Sequence, residues 1–193
     1  MIPTLSRPAP AQLAAAVLAE ADAPLTYTEI GQTWGDTPAG FAFDEQQVLI
    51  GAGRGDFTRA THLLRAWTQF DLPWLLPLDR TVPLVEGAMF AFASYQCGVW
   101  ASNVCRVVKV VDEQDDDGAR LGFSYGTVGT HALRGEERFL LRWHAASDEV
   151  SFGIRKFSTP AGPLFTLLDP LTRAVQRRFT REALARMAEA MRA

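Results

Sequence analysis

Residues 121–139 read L-G-F-S-Y-G-T-V-G-T-H-A-L-R-G-E-E-R-F, two strand-like runs joined by a turn. Strand alternation puts Phe123, Tyr125 and Thr127 on one face of the first run. It puts Glu137, Phe139, Leu141 and Trp143 on one face of the second. A carboxylate on the apolar face of a strand is unusual, because burying an unpaired charge is unfavourable. Glu137 therefore marks a place in the fold, without revealing a substrate.

Working outward, the same period of two recurs. Candidate strands are Met89 to Tyr95, Val104 to Val111, Arg120 to Val128, Glu136 to His144 and Glu149 to Phe157, with a short one near Val82 to Val85. The links Asp112 to Gly118 and Ala145 to Asp148 are short and polar, which implies antiparallel neighbours. After the strands, Asp169-Pro170 reads as a capping carboxylate followed by proline at the first helical position. The helix it starts runs to the C-terminus, about 35 Å long. Leu171, Val175, Phe179, Ala183, Met187 and Met191 form an oblique apolar ridge along it, which needs a large apolar surface to lie across.

Upstream, residues 1–11 are rich in proline and alanine and read as mobile. Gln12 to Ala21 reads as a helix stopped by Asp22 and Pro24, and Leu25 to Thr33 as an edge segment. Phe41 to Ile50 is a strand that enters a turn at Gly51, Gly53 and Gly55. Asp56 then caps a helix whose apolar face carries Phe57, Ala60, Leu63, Leu64 and Trp67, with Pro73 and Pro77 ending it. The turn resembles a dinucleotide fingerprint, but Asp56 stands where the third glycine belongs and would repel a pyrophosphate. Antiparallel strands follow it, where a βαβ unit would be required. The order predicts an α+β helix-grip fold, in which a curved antiparallel sheet wraps a long C-terminal helix. It spans residues 1–193 as a single domain, with a ligand cavity between sheet and helix.

Bulk properties narrow the function. With 193 residues, 48% of them hydrophobic, the chain suits one sizeable core. A net charge of -3 argues against nucleic acid as a partner. Cys97 and Cys105 are too few for a disulfide scaffold; they lie either side of a strand connection where a bridge is open, but reduced thiols in a cytoplasmic protein are expected. No apolar run approaches the roughly 20 residues needed to cross a bilayer, so stable membrane insertion is not expected.

Assuming tight hairpins, Val108 faces Phe123, Arg106 faces Tyr125, Tyr125 faces Phe139 and Thr127 faces Glu137. Leu141 then meets Ile154, and Trp143 meets Phe152. Arg106, Tyr125, Thr127 and Glu137 become a polar layer at one end of a face whose greasy part includes Phe139, Trp143 and Phe152. Two readings are open. In one, Arg106 and Glu137 neutralise each other; in the other, the layer orients the polar head of a ligand. His131 lies in the connecting loop within reach of the pocket mouth. With three histidines and no paired ligand spacing, no metal site is expected, and no cofactor. No nucleophile stands beside a base, so no catalytic residue is assigned. Arg173, Arg177 and Arg181 read as a solvated helix face, with local pairs such as Arg178 with Glu182. The outward face of Val104 to Val111, carrying Cys105, Val107 and Val111, needs a cover from the N-terminal segment or from a second subunit in a homodimer.

These residues resemble the DUF1990 family. The resemblance runs from about Leu25 to the C-terminus. It rests on Gly51-x-Gly53 with Phe57, Ala60 and Trp67, on Cys105-Arg106-Val107, and on Gly122-Phe123-x-Tyr125-Gly126-Thr127. His131, Gly135-Glu136-Glu137-Arg138-Phe139, Phe157-Ser158-x-Pro160 and Pro170-Leu-x-Arg173-x-x-Gln176 complete it. Thr159 replaces the family's usual arginine, and the Val128 to Ala132 loop lacks its prolines. The family is similar to the START-type helix-grip superfamily, which implies a fold that often holds hydrophobic ligands and brings no established activity.

The expectation is non-covalent binding of a small hydrophobic or amphipathic molecule. Arg106, Tyr125, Thr127 and Glu137 would fix its polar end, with Phe139, Trp143 and Phe152 lining the cavity and His131 at the mouth. One alternative is a cyclase, hydrolase or dehydratase using Glu137 or Tyr125 as the acid–base group. Another is a protein-interaction or stress-response module whose cavity is filled by its own side chains.

Overall fold

The computed structural model describes residues 3–76 and 78–193. Its strands are β1 (Pro3–Thr4), β2 (Ala42–Ala52), β3 (Met89–Gln96), β4 (Val99–Asp115), β5 (Gly118–Thr127), β6 (Leu133–His144) and β7 (Glu149–Pro160). Its helices are α1 (Pro10–Ala19), α2 (Gly53–Arg65), α3 (Pro163–Leu167) and α4 (Asp169–Arg192). The strands form one seven-stranded antiparallel sheet in the order β1-β4-β5-β6-β7-β2, with β3 also paired to β4. This is the helix-grip arrangement. On the inner face Phe123, Phe139 and Phe152 pack with Phe179, Ala183, Met187 and Met191 of α4 in one buried cluster.

The bend of the sheet is built into β4. Its first half pairs with β3 and its second half with β5, and a bulge falls between Val107 and Lys109. One extra residue on one strand bends it and reverses which side chains face inward beyond that point. Val110 opposes Phe123 and Val107 opposes Tyr125, while Arg106 pairs with Gly126 on the outward side. The hairpin register therefore differs from the tight-turn expectation. Tyr125 faces Glu137, Phe139 faces Ile154, Leu141 faces Phe152 and Trp143 faces Val150.

Several local expectations are corrected. No strand forms at residues 82–85, which are bends and irregular backbone. Residues 3–4 pair with β4, and α1 runs from Pro10 to Ala19, two residues ahead of the Gln12 to Ala21 expectation. Asp56 lies inside the first turn of α2, where it reaches back to accept from the amide of Ala52 at 2.9 Å. Gly53 opens that helix at φ 79°, a left-handed conformation that glycine adopts without strain. The helix stops at Arg65, and Trp67 follows in a left-handed turn (φ 59°) while staying in the core. Pro77 lies outside the described residues. Asp169 is the first residue of α4 and pairs with Arg173 at 3.1 Å in place of capping the helix.

The outer face carries two covers. Leu13 of α1 packs with Ala91, Ala93, Val104 and Val128, while the bulge turns Cys105 and Val107 into the inner core. The Leu25 to Thr33 stretch, which reads as an edge segment, continues to Gly35 and crosses the outside of β5 and β6 as a strap. Tyr27 lies so close over Gly126 that any side chain there would collide with its ring and hydroxyl. The Trp34 indole N–H donates to the Ser124 hydroxyl at 3.0 Å.

Candidate functional site

Register brings three polar residues together on the inner face. Glu137 of β6 stands between Tyr125 of β5 and Lys156 of β7. All three are buried. The Tyr125 hydroxyl donates to Oε2 of Glu137. Lys156 Nζ lies 3.7 Å from Oε1 of Glu137 and 3.7 Å from a carboxylate oxygen of Asp44 on β2. It donates to the Gln176 carbonyl at 3.0 Å and to the Thr180 hydroxyl, both on α4. A buried ammonium is tolerated when it is paired and hydrogen-bonded, and these partners supply both conditions. Oε1 of Glu137 has no hydrogen-bond donor within reach among the described residues.

Burial, reinforced by the Glu137 charge, pushes the Tyr125 hydroxyl well above its ordinary range. It remains a proton-bearing donor at neutral pH. Burial and then the same charge push up the Cys105 thiol.

Beside this group opens a cavity of about 470 Å³. Phe92, Val99, Trp74 and Phe179 form apolar walls, and Leu164, Leu168 and Leu171 of the α3–α4 region line it while remaining exposed. Ser94, Gln96 and Asn103 add polar points, and the buried Nε2 of Gln96 has no hydrogen-bond partner among the described residues.

Of the residues singled out in the sequence, Tyr125, Thr127, His131 and Glu137 line this cavity. The Thr127 hydroxyl is committed to the backbone of Gly135 and lies 2.5 Å from the Thr26 hydroxyl. His131 accepts from the Leu133 amide through Nδ1 at 3.1 Å, and burial lowers its imidazole to about 4.

The other four stand elsewhere. The bulge sends Arg106 to the outer face, where it donates to the carbonyls of Ala21 and Ala23 at 2.9 Å each. Phe139 and Phe152 do not line the cavity, because Phe70 and Phe179 fill the space against Phe139 and Phe152 stacks on it. Trp143 sits further along β6, its N–H donating to Asp148 at 2.9 Å and Arg54 covering its ring. The cation that pairs with Glu137 is Lys156. Its signal was present, since Lys156 continues the alternation of Phe152 and Ile154 along β7. Among the described residues no group of three or more His, Cys, Asp or Glu could hold a metal ion, and no helix is long and apolar enough to cross a membrane.

Comparisons with known proteins agree with this architecture. The family model described as "Domain of unknown function (DUF1990)" matches residues 26–186. A UPF0548 protein of Deinococcus radiodurans is 35% identical over 189 residues, covering 92% of each chain. A UPF0548 protein of Dictyostelium discoideum is 31% identical over 158 residues, 78% of this chain and 73% of that one. The crystal structure of the Zhui aromatase/cyclase from Streptomyces sp. R1128 superposes with a TM-score of 0.55 at 9% identity, over 79% of this chain and 94% of that one. That likeness is one of fold.

Proposed function

The chain belongs to the DUF1990 family, and we propose that its helix-grip fold serves to bind a small, largely apolar molecule non-covalently in the cytoplasm. Folds of this kind typically hold hydrophobic ligands. The observation that carries the reading is a cavity of about 470 Å³ with apolar walls and a buried Tyr125–Glu137–Lys156 group at its edge. Ligand pockets run from about 300 to 1,000 Å³ and combine apolar walls with a few placed polar groups. Tyr125 and Glu137 orient the polar end, Lys156 takes the place that Arg106 holds in the sequence pattern, and Phe92, Trp74 and Phe179 hold the apolar body. The open volume speaks against a module whose cavity is filled by its own side chains.

Native mass spectrometry of protein purified from its own host tests this. The expected result is a defined small molecule retained on the folded protein and lost in Glu137→Ala. Repeated purification without any adduct, together with no uptake of an apolar dye, overturns it.

A second reading rests on the hydrogen bond between Tyr125 and Glu137 in the cavity wall, which sets a proton donor beside whatever enters. In that reading the retained molecule is turned over, and Tyr125→Phe abolishes the turnover. The raised Tyr125 hydroxyl is poorly matched to general acid or base work near neutral pH, which favours binding.

A further inference from the structure

We infer that the rim of the cavity mouth docks peripherally on the surface of a bilayer rich in anionic lipid. The inference concerns the outside of the molecule and goes beyond the binding reading, which can fail without it. It starts from four leucines within eight residues. Leu164, Leu167, Leu168 and Leu171, where α3 meets α4, are all exposed, Leu164 at 63% and Leu167 at 79%. Single exposed leucines need no explanation, but a contiguous group marks a surface that meets an apolar partner. Leu164, Leu168 and Leu171 also line the cavity, so the patch stands at its opening. The β3–β4 turn lines the same cavity through Cys97 and Val99. It also carries Tyr95, 45% exposed, whose ring meets that of Trp100 at 5.1 Å. Tyrosine and tryptophan suit a membrane–water boundary, where an apolar ring and a polar tip are both accommodated.

Charge selects the occupant. Along the outward side of α4, Leu171 is followed by Ala174, Arg178 and Arg181 at steps of three and four. From 163 to 182 the chain has four arginines against Asp169 and Glu182, although its net charge is -3. Arg173 takes Asp169 at 3.1 Å, and Arg178 takes Glu182 at 2.8 Å. Arg177 is exposed, and Arg181 reaches Glu182 only at 3.9 Å with 72% of its side chain exposed. Those two leave a surplus of positive charge, about 9 and 15 Å along the helix axis from Leu171. Lying obliquely, α4 sets the leucines at the depth of the acyl chains and the guanidinium groups among the phosphates, as interfacial amphipathic helices do. A purely apolar partner would cover the leucines and leave those arginines without a counter-charge. The attachment is peripheral, since no helix among the described residues is long and apolar enough to cross a membrane.

Co-sedimentation of the full chain with sucrose-loaded vesicles tests this, comparing pure phosphatidylcholine with an equimolar mixture of phosphatidylcholine and phosphatidylserine. Binding to the mixed vesicles is expected to be stronger by roughly tenfold or more, and to weaken as salt is raised. Arg177→Gln with Arg181→Gln should remove most of that preference, a loss of roughly tenfold or more. Leu167→Gln with Leu171→Gln should weaken attachment to the mixed vesicles by about tenfold. All four side chains are exposed, so these variants keep the fold. Leu18→Gln, at an exposed site on α1, should change nothing. No attachment to mixed vesicles at low salt, equal attachment to both compositions, or leucine variants that bind like the unaltered protein each overturn the inference. So does self-association of the free chain that Leu167→Gln abolishes while vesicles go unbound, which assigns the patch to a second copy. The small molecule of the binding reading is sought without vesicles, so either reading can fail and leave the other standing.

Discussion

Glu136 and Glu137 are consecutive on β6 and face opposite sides of the sheet, with opposite hydrogen-bond balances. Outward, Glu136 accepts from the Tyr27 hydroxyl at 2.9 Å, from the Gly31 amide at 2.7 Å and from the Thr33 hydroxyl. Inward, Glu137 accepts from Tyr125 alone among the described residues, and its enclosed second oxygen has no hydrogen-bond donor among them. The saturated carboxylate ties the strap of residues 25–35 to the sheet. The other joins β5 to β7 at the cavity edge, through the Tyr125 hydroxyl and the Lys156 ammonium.

Glu136→Gln sets an amide against donors that need an acceptor. Loss of about 2–3 kcal/mol of stability is expected from urea unfolding, since buried donors are left unserved. Hydrogen exchange should show the strap amides losing protection ahead of the β5–β6 core. Unchanged strap protection would mean that Glu136 is not its anchor.

Lys156→Met removes the ammonium and strands Glu137. Destabilisation of about 3 kcal/mol is expected, as for other broken buried pairs. The double variant Lys156→Met with Glu137→Gln should be less destabilised than the sum of the two single changes, with a coupling of about 1–2 kcal/mol in a double-mutant cycle. Strict additivity would show that the pair does not interact.

His131 makes stability depend on pH. Its folded imidazole is lowered to about 4 from 6.5, so between those values the unfolded chain binds a proton that the folded one refuses. Stability is therefore full above pH 6.5 and falls as pH drops toward 4. The ring is only partly shielded at the cavity mouth, so a decrease of about 1–2 kcal/mol is expected. His131→Gln should flatten that stretch of the profile; an unaltered slope would assign it to other groups.

The thiols should separate by reactivity. Cys97 is exposed in the β3–β4 turn and Cys105 is buried, its thiol pushed up by burial. A disulfide reagent on the folded protein should titrate one thiol quickly, and in guanidinium both. Two fast thiols without denaturant would mean that β4 opens readily.

Much of the fold was legible because it depends on local period. The alternation over Phe123 to Thr127 and Glu137 to Trp143, the short polar links and the ridge from Val175 to Met191 each state which side of an element is apolar. Errors of two residues in register, as between Trp143 and Phe152, leave the faces unchanged. The shift at Val107–Lys109 is an odd one, and it exchanged Arg106 for Lys156 as the partner of Glu137. No residue in Arg106-Val-Val-Lys109 announces a bulge, since each would fit a regular strand.

By itself the sequence determined that an antiparallel sheet closes on a C-terminal helix and that a carboxylate sits on its apolar side, because hydrophobic period acts over neighbouring residues. Only the tertiary structure decided which cation reaches that carboxylate, where the strap crosses the outer face and where the cavity opens. Those outcomes depend on a single unpaired residue in β4 and on how Phe70, Phe139 and Phe179 fill the centre, contacts between residues far apart in the chain that local period does not encode.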